Sequence, residues 1–335
     1  MKTTLTIACG ASLFLLSFAV PADQVRFGVK EKAKLSKVFE DEAKFHSTSI
    51  SVEIDGKDIE GAMDGLKVSI EESSRIEVSD VYGAPKEGKP STVKRSFDKL
   101  TGKSTQNVEL PPQANHEPIE ESKERSSELE GKTVVFTLGD EGEYKAAFED
   151  EKGDAALLEG LTEDMDMRGL LPDGDVEADK SWDIGAKVFY SVVGTPGGDL
   201  KLKSEDDKDD STKFDEELRN NVEGSGKGTY KGTRDVDGHK CAVIALHAEF
   251  KTNGEREESD EEGPGGTMAM EISYTIEGEL LWNLEAGHFQ SCKMDSEIGL
   301  KVTNSMSMEH GGESHTQKRV TEFEGEGHFK ASLGE

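Results

Sequence analysis

The run Met268-Ala269-Met270-Glu271-Ile272-Ser273-Tyr274-Thr275-Ile276-Glu277-Gly278-Glu279-Leu280-Leu281-Trp282-Asn283-Leu284 decides the fold. Its apolar side chains stand at every second position and hold one parity across Gly278, which is the pattern of a strand with one buried face. The same alternation runs through Ala242-Ile244-Leu246-Ala248-Phe250 and through Ile298-Leu300-Val302 towards Met306 and Met308. Earlier strands are expected at Ile50-Ile54, Val68-Ile70 with Ile76-Val78, Val134-Leu138, Tyr144-Phe148 and Val188-Val192. Residues 31–45 read as helix or strand, and strand is preferred because it runs on into Ile50-Ile54. Asp55-Gly56, Thr101-Gly102, Asp140 to Gly142, Asp237-Gly238, Ala286-Gly287 and Gly311-Gly312 supply turns between the runs. Short connections make antiparallel neighbours.

The fold class is therefore mainly β: a long-stranded antiparallel meander, or a curved sheet or half-barrel. One amphipathic helix is expected at about 154–171, capped by Asp154, with Leu157, Leu158, Leu161 and Met165 on one face and Pro172 with Gly174 as its stop. Charged, Gly- and Pro-containing stretches at about 102–130, 201–227 and 253–266 read as mobile acidic loops. Within 201–227, the acidic run 205–217 is expected to be dispensable. The hairpins around Gly238-His239 and Gly287-His288 form a weak internal repeat, explained by their shared strand–turn–strand pattern.

Residues 1–22 read as a signal peptide: Lys2, then an apolar run from Leu5 to Val20, with a cut expected after Ala22. The expected product is one β-rich domain, 23–335, secreted or periplasmic. No integral membrane segment is expected in it. Cys9 lies too early in the apolar run to be a lipidated N-terminus. Hydrophobic and charged residues each make up 33% of the chain, and its formal charge is −30. That charge argues against nucleic acid and anionic headgroups as partners.

Leu157-Leu158-Glu159-Gly160-Leu161, Leu170-Leu171-Pro172-Asp173-Gly174, Ser181-Trp182 and Thr195-Pro196-Gly197-Gly198-Asp199-Leu200 resemble exported bacterial proteins of uncharacterised function, as do Phe97-Asp98 with Gly102 and the hairpin from Gly278 to Gly287. The resemblance implies a large antiparallel sheet, curved round a helix as in lipoprotein-carrier-like folds. It brings no site residues with it.

No catalytic constellation stands out, so whether the chain is an enzyme stays open, with the reading leaning to a non-enzyme, and no cofactor is expected. Gly102-Lys103-Ser104 and Gly131-Lys132-Thr133 lack the first glycine of a phosphate loop, since Phe97 and Ser126 stand there. Gly224-Ser225-Gly226 lacks the spacing of a nucleophile elbow. The acids from Asp164 to Asp179 do not fit a calcium loop and read as a solvated helix face. Met306 and Met308 beside His310 and His315 are explained by strand spacing without copper. His239 and His288 follow turn glycines and are expected to face solvent.

Cys241 and Cys292 form an even pair in an oxidising compartment and are expected to be bonded. Met268, Met270, Tyr274 and Trp282 are the candidate ligand contacts, on an apolar face longer than one short strand needs. The reading is an exported binding or envelope-associated protein, its partner an apolar small molecule or lipid. The alternatives are an extracytoplasmic hydrolase whose site is assembled from scattered residues, and a structural or assembly protein.

Overall fold

The computed structural model describes residues 24–61, 63–86, 88–111, 117–150, 152–194, 196–204, 212–258, 265–310 and 313–334. The expected signal segment and its cleavage point lie outside the described residues. The strands are β1 (Lys34–Ile54), β2 (Lys57–Asp58), β3 (Lys67–Tyr82), β4 (Pro85–Lys86), β5 (Lys89–Pro90), β6 (Thr92–Glu109), β7 (Ile119–Ser126), β8 (Thr133–Leu138) and β9 (Tyr144–Phe148). After a long crossing segment come β10 (Ser181–Gly185), the helices α1 (Ala186–Val193) and α2 (Thr212–Asn220), then β11 (Glu223–Val236), β12 (His239–Glu258), β13 (Gly266–Asn283), β14 (His288–His310) and β15 (Glu313–Leu333).

One antiparallel sheet takes in all of these strands except the small β4–β5 pair. Its order is β10-β11-β12-β13-β14-β15-β1-β3-β6-β8-β9, with β7 on the distal half of β6 and β2 on β1. The sheet has edges at β9 and β10, so it is curved but not a closed barrel. β14 has 23 residues, roughly 75 Å of extended chain. The central seam pairs β15 with β1, from Lys37 opposite Leu333 to Ile54 opposite Gln317.

Alternation places one parity of every strand on an inner face. Phe39, Ile76, Val78, Val93, Phe97, Ile244, Leu246, Ile276, Leu280 and Phe329 are buried there. Residues 24–33 lie over the β13–β14 turn, where the Gly28 amide donates to the Gly287 carbonyl at 2.9 Å. A Cβ on Gly287 (φ +69°) would stand 2.6 Å from the Gly28 Cα, so this contact requires glycine. The Trp282 indole is buried beneath the same segment and donates to the Arg26 carbonyl at 3.1 Å. Asp237 and Gly238, at φ 51° and 82°, form the left-handed pair that a tight hairpin needs.

Several expectations are corrected. Residues 154–171 are not an α-helix. Asp154 does cap a turn, accepting from the Ala156 amide at 3.0 Å, but that turn is a 3-10 helix ending at Leu158, and a second covers Arg168–Leu170. Gly160 (φ +78°) and Met167 (φ +58°) are left-handed and interrupt any longer helix.

The expected strand Val188–Val192 is helix α1, which buries Ala186, Phe189, Tyr190 and Val192. In a run this short, period 2 and period 3.6 both fit, and packing on the sheet decides. The stretch 102–130 is not loop for most of its length. β6 and β7 pair from Thr101 opposite Ser126 to Val108 opposite Ile119. This two-sided ladder is stabilised by cross-strand polar partners, such as Lys103 opposite Glu124, rather than by apolar alternation.

Within 201–227, Ser126 bridges Lys203, α2 follows, and β11 begins at Glu223. Residues 205–211 lie outside the described residues, but the end of the acidic run packs: Phe214 and Leu218 are buried and the Thr252 hydroxyl donates to the Leu218 carbonyl. In 253–266, β12 continues to Glu258 and β13 starts at Gly266, while 259–264 lie outside the described residues.

Cys241 and Cys292 are buried free thiols, not a disulfide. β13 stands between their strands, with Asn283 opposite Cys241 and Leu280 opposite Cys292. That separates them by two strand spacings, roughly 10 Å, plus three residues along the strand, roughly another 10 Å. A bridge needs Cα atoms within about 7 Å. Burial pushes the Cys292 thiol well above its ordinary range, which keeps it unreactive in the folded chain. Unreduced protein titrated with a chromogenic thiol reagent is expected to release both thiols only after denaturation; none released in denaturant would restore the disulfide.

Candidate functional site

The candidate site is the inner face where β13, β14, β15, β1 and β3 run side by side. Successive rows across the sheet set Asp41 beside Phe329 and Met294, then Ala43 beside Gly327 and Ser296, then Phe45 beside Gly325, Ile298 and Tyr274. The next row joins Ser47, Phe323, Leu300 and Ile272. Small residues lie between Asp41 and the apolar distal rows, where Ser296 and Ile298 close over Gly327 and the Phe45 ring over Gly325. The helices pack on this inner face at its β10–β12 flank, α1 against β10, β11 and β12, with Tyr190 on Phe250, and α2 against β12. Met268, Met270, Ile272, Leu300 and Val302 remain half-buried.

Where this face meets the segment 193–203, a cavity of about 260 Å³ opens. Phe39, Ile76, Phe329 and Leu200 contribute apolar walls, and Asp41 and Glu72 bring carboxylates from adjacent strands. Burial, then the charges of Glu72 and Glu42, push the Asp41 carboxyl up to about 7, opposed by His328. Tyr274 lies within the same field: burial, then Tyr190, Asp41 and Glu72, push its phenol upward. Its ring stacks on Phe250 with centroids 4.9 Å apart.

The cover over the proximal half, residues 154–180, is fastened by ions with no solvent exposure. Lys37, Asp80 and Arg95 project from β1, β3 and β6, and Asp166 from the cover. Asp80 accepts from the Arg95 Nε and Nη2, each at 2.8 Å, and from the Lys37 Nζ at 2.8 Å. Lys37 also donates to the Asp166 Oδ1 at 2.6 Å, as does the Tyr82 hydroxyl at 2.6 Å. The remaining Arg95 donors reach the carbonyls of Thr162 and Glu163 at 3.1 and 2.8 Å. The cations and carboxylates balance, and this balance offsets the cost of burying them. The network ties the cover to the sheet at Thr162, Glu163 and Asp166.

Of the residues expected to contact a ligand, Met268, Met270 and Tyr274 share the inner face. Trp282 does not join them: it is wholly buried at the opposite end of β13, under residues 24–33. Two other expectations change. Asp166 is buried in the ion network rather than on a solvated face, and His288 is buried with its Nδ1 2.8 Å from the Phe289 carbonyl. His315 pairs with Asp55 at 2.7 Å, and Met306 is exposed on its strand. No helix among the described residues is long and apolar enough to cross a membrane.

The residues that sequence reasoning passed over carried a signal. Lys37 and Asp41 share the parity of Phe39 and Ala43, Asp80 falls between Val78 and Tyr82, and Arg95 between Val93 and Phe97. A charge on the apolar parity of a strand is a charge aimed at the core.

No family model matches the chain, and no curated protein matches it. Among solved structures it is similar to the Type IV competence pilus secretin PilQ of V. cholerae, with 6% identity and a TM-score of 0.18. That match covers 95% of this chain and spans 62% of the secretin chain. A second is to intact Ap-TbpB with its N and C lobes, at 7% identity and a TM-score of 0.07, over 91% of this chain and 79% of that one. At these scores neither carries a fold or functional argument.

Proposed function

We propose that this protein is an exported, non-enzymatic binding protein for a molecule with an apolar chain, which lies along the inner face beyond the cover. One observation carries the reading: the apolar rows of the inner face continue past the packed helices, through Ile272, Leu300, Met270 and Val302, which stay half-buried. Apolar strand faces are ordinarily shielded, and flexible methionines suit guests of variable shape. The adjoining cavity sets ionisable side chains beside the apolar walls of Phe39, Ile76, Phe329 and Leu200, so a guest with both an apolar and a polar part could enter it.

The test uses a neutral fluorescent probe that brightens in apolar surroundings. The purified protein is expected to take it up saturably at one per chain, and dodecanol is expected to displace it. Leu300→Lys, which places a charge on the distal rows, is expected to weaken uptake at least tenfold. Absence of saturable uptake by the folded protein would overturn the proposal, as would uptake that Leu300→Lys leaves unchanged.

A further inference from the structure

We infer that the far end of the distal rows receives an anionic head group, so that the ligand is a single alkyl chain ending in a carboxylate or a phosphate. This deepens the binding reading above and rests on it. One row across five strands carries the argument: Arg256, Met268, Asn304, Arg319 and Val52 stand side by side on β12, β13, β14, β15 and β1. They share the parity of Met270, Val302 and Thr321, which form the preceding row of the inner face. Two guanidiniums and an amide therefore end a strip that is otherwise uncharged.

The distribution of charge fixes the sign of the guest. In a chain with 70 Asp and Glu residues, the inner face of β13, β14, β15 and β1 carries none from the Ile272 row to the Arg319 row. Over the same stretch the acids Glu271 and Glu322 stand on the outer face. Arg319 is exposed at the rim and pairs with no described carboxylate, and the half-buried Asn304 side chain beside it makes no hydrogen bond to a described residue. On the β12 side, Phe214 and Leu218 of α2 lie over Gly254, and the Arg256 guanidinium stands over the Phe214 ring, 5.8 Å from its centroid. A guanidinium fork matches a carboxylate or a phosphate oxygen pair, and the amide adds N–H donors. The Met268 and Ile272 rows are roughly 14 Å apart along the strand, which gives a chain of about dodecyl length apolar contact behind its head. The charge of the whole chain, −30, opposes an extended anionic surface. A single head group at physiological salt responds to charges within about 8 Å, and there the cations dominate.

The experiment displaces the same probe with dodecanoate, dodecyl phosphate, dodecanol and dodecylammonium at pH 8, each kept below its micelle concentration. Dodecanoate or dodecyl phosphate is expected to displace the probe at a concentration at least tenfold lower than dodecylammonium, and the tighter of the two identifies the head group. Arg319→Gln is expected to weaken both anions about fivefold to tenfold and to leave dodecanol within twofold, while Arg319→Lys retains most of the preference. The variants are expected to fold, since Arg319 is exposed and no buried charge loses its partner. Displacement by dodecylammonium as good as by the anions overturns the head-group inference and leaves the binding reading standing. So does an Arg319→Gln protein that binds the anions unchanged, or one that loses anions and dodecanol alike. Failure of the probe to bind overturns both.

Discussion

Asp80→Ala is expected to destabilise the protein by about 3–5 kcal/mol, the cost of removing one partner from a buried ion pair. The carboxylate holds two cations at once, with neither it nor they exposed to solvent. Without it the Arg95 guanidinium keeps only the carbonyls of Thr162 and Glu163, and the Lys37 ammonium keeps only Asp166. Urea unfolding at pH 7 measures the loss. A change below about 1 kcal/mol would show that the network is not dry. Replacing Asp80 and Arg95 together by Leu and Met is expected to recover much of the loss for the sheet, because no charge is left alone. The cover is expected to loosen, since its carbonyls lose their donors, and hydrogen exchange over 159–171 would report it.

The same carboxylate sets an acid limit. Burial pushes Asp80 up, but Arg95 and Lys37 outweigh burial and hold it at about 2, below its ordinary 3.8. The folded pKa is lowered, so the native state binds fewer protons than the unfolded chain in this range. The stabilisation is full above about pH 4 and drains away as pH falls towards 2. An acid titration of stability in Asp80→Asn should be flatter through that window than in the parent; an identical slope would remove Asp80 from the account.

Trp282→Ala is the second large effect, at about 3–5 kcal/mol for a fully buried indole. The side chain fills the space under residues 24–33, and its Nε1 satisfies the Arg26 carbonyl. Trp282→Phe should cost less, about 1–3 kcal/mol, since it retains most of the apolar volume and leaves one carbonyl unpaired. Thermal unfolding of the two variants gives the comparison. A Trp282→Ala protein as stable as the parent would show that residues 24–33 do not seal this end. In the trough reading Trp282 is also silent: its fluorescence should not respond when dodecanol binds at the distal rows.

The long strands were readable because alternation over Met268 to Leu284 or Ala242 to Phe250 persists far beyond what chance produces, and a half-buried sheet requires it. Short or unusual segments were not readable for the same reason. Val188 to Val192 has too few turns to separate two periods, and the β6–β7 ladder has polar residues on both faces, so it imitates a loop. Residues 154–171 have the apolar spacing of a helix, yet Arg95 captures the carbonyls of Thr162 and Glu163, and Lys37 and Tyr82 capture Asp166. Those are long-range claims on the backbone and side chains that no local propensity contains.

The amino-acid sequence by itself determined an acidic, mainly β chain with long antiparallel strands, tight turns at Asp237-Gly238 and Asp55-Gly56, and an apolar parity running through β12, β13 and β14. Those properties follow from side-chain period, charge count and turn chemistry, which are local. Only the tertiary structure decided that Cys241 and Cys292 are kept apart by β13, that Trp282 is sealed under residues 24–33, and that Asp41, Glu72 and Tyr274 come within one another's field. These depend on register and strand order, which bring residues more than 200 positions apart into one row, as Asp41 and Phe329 are. A pattern of period 2 states which face a side chain takes; it does not state which strand will stand beside it.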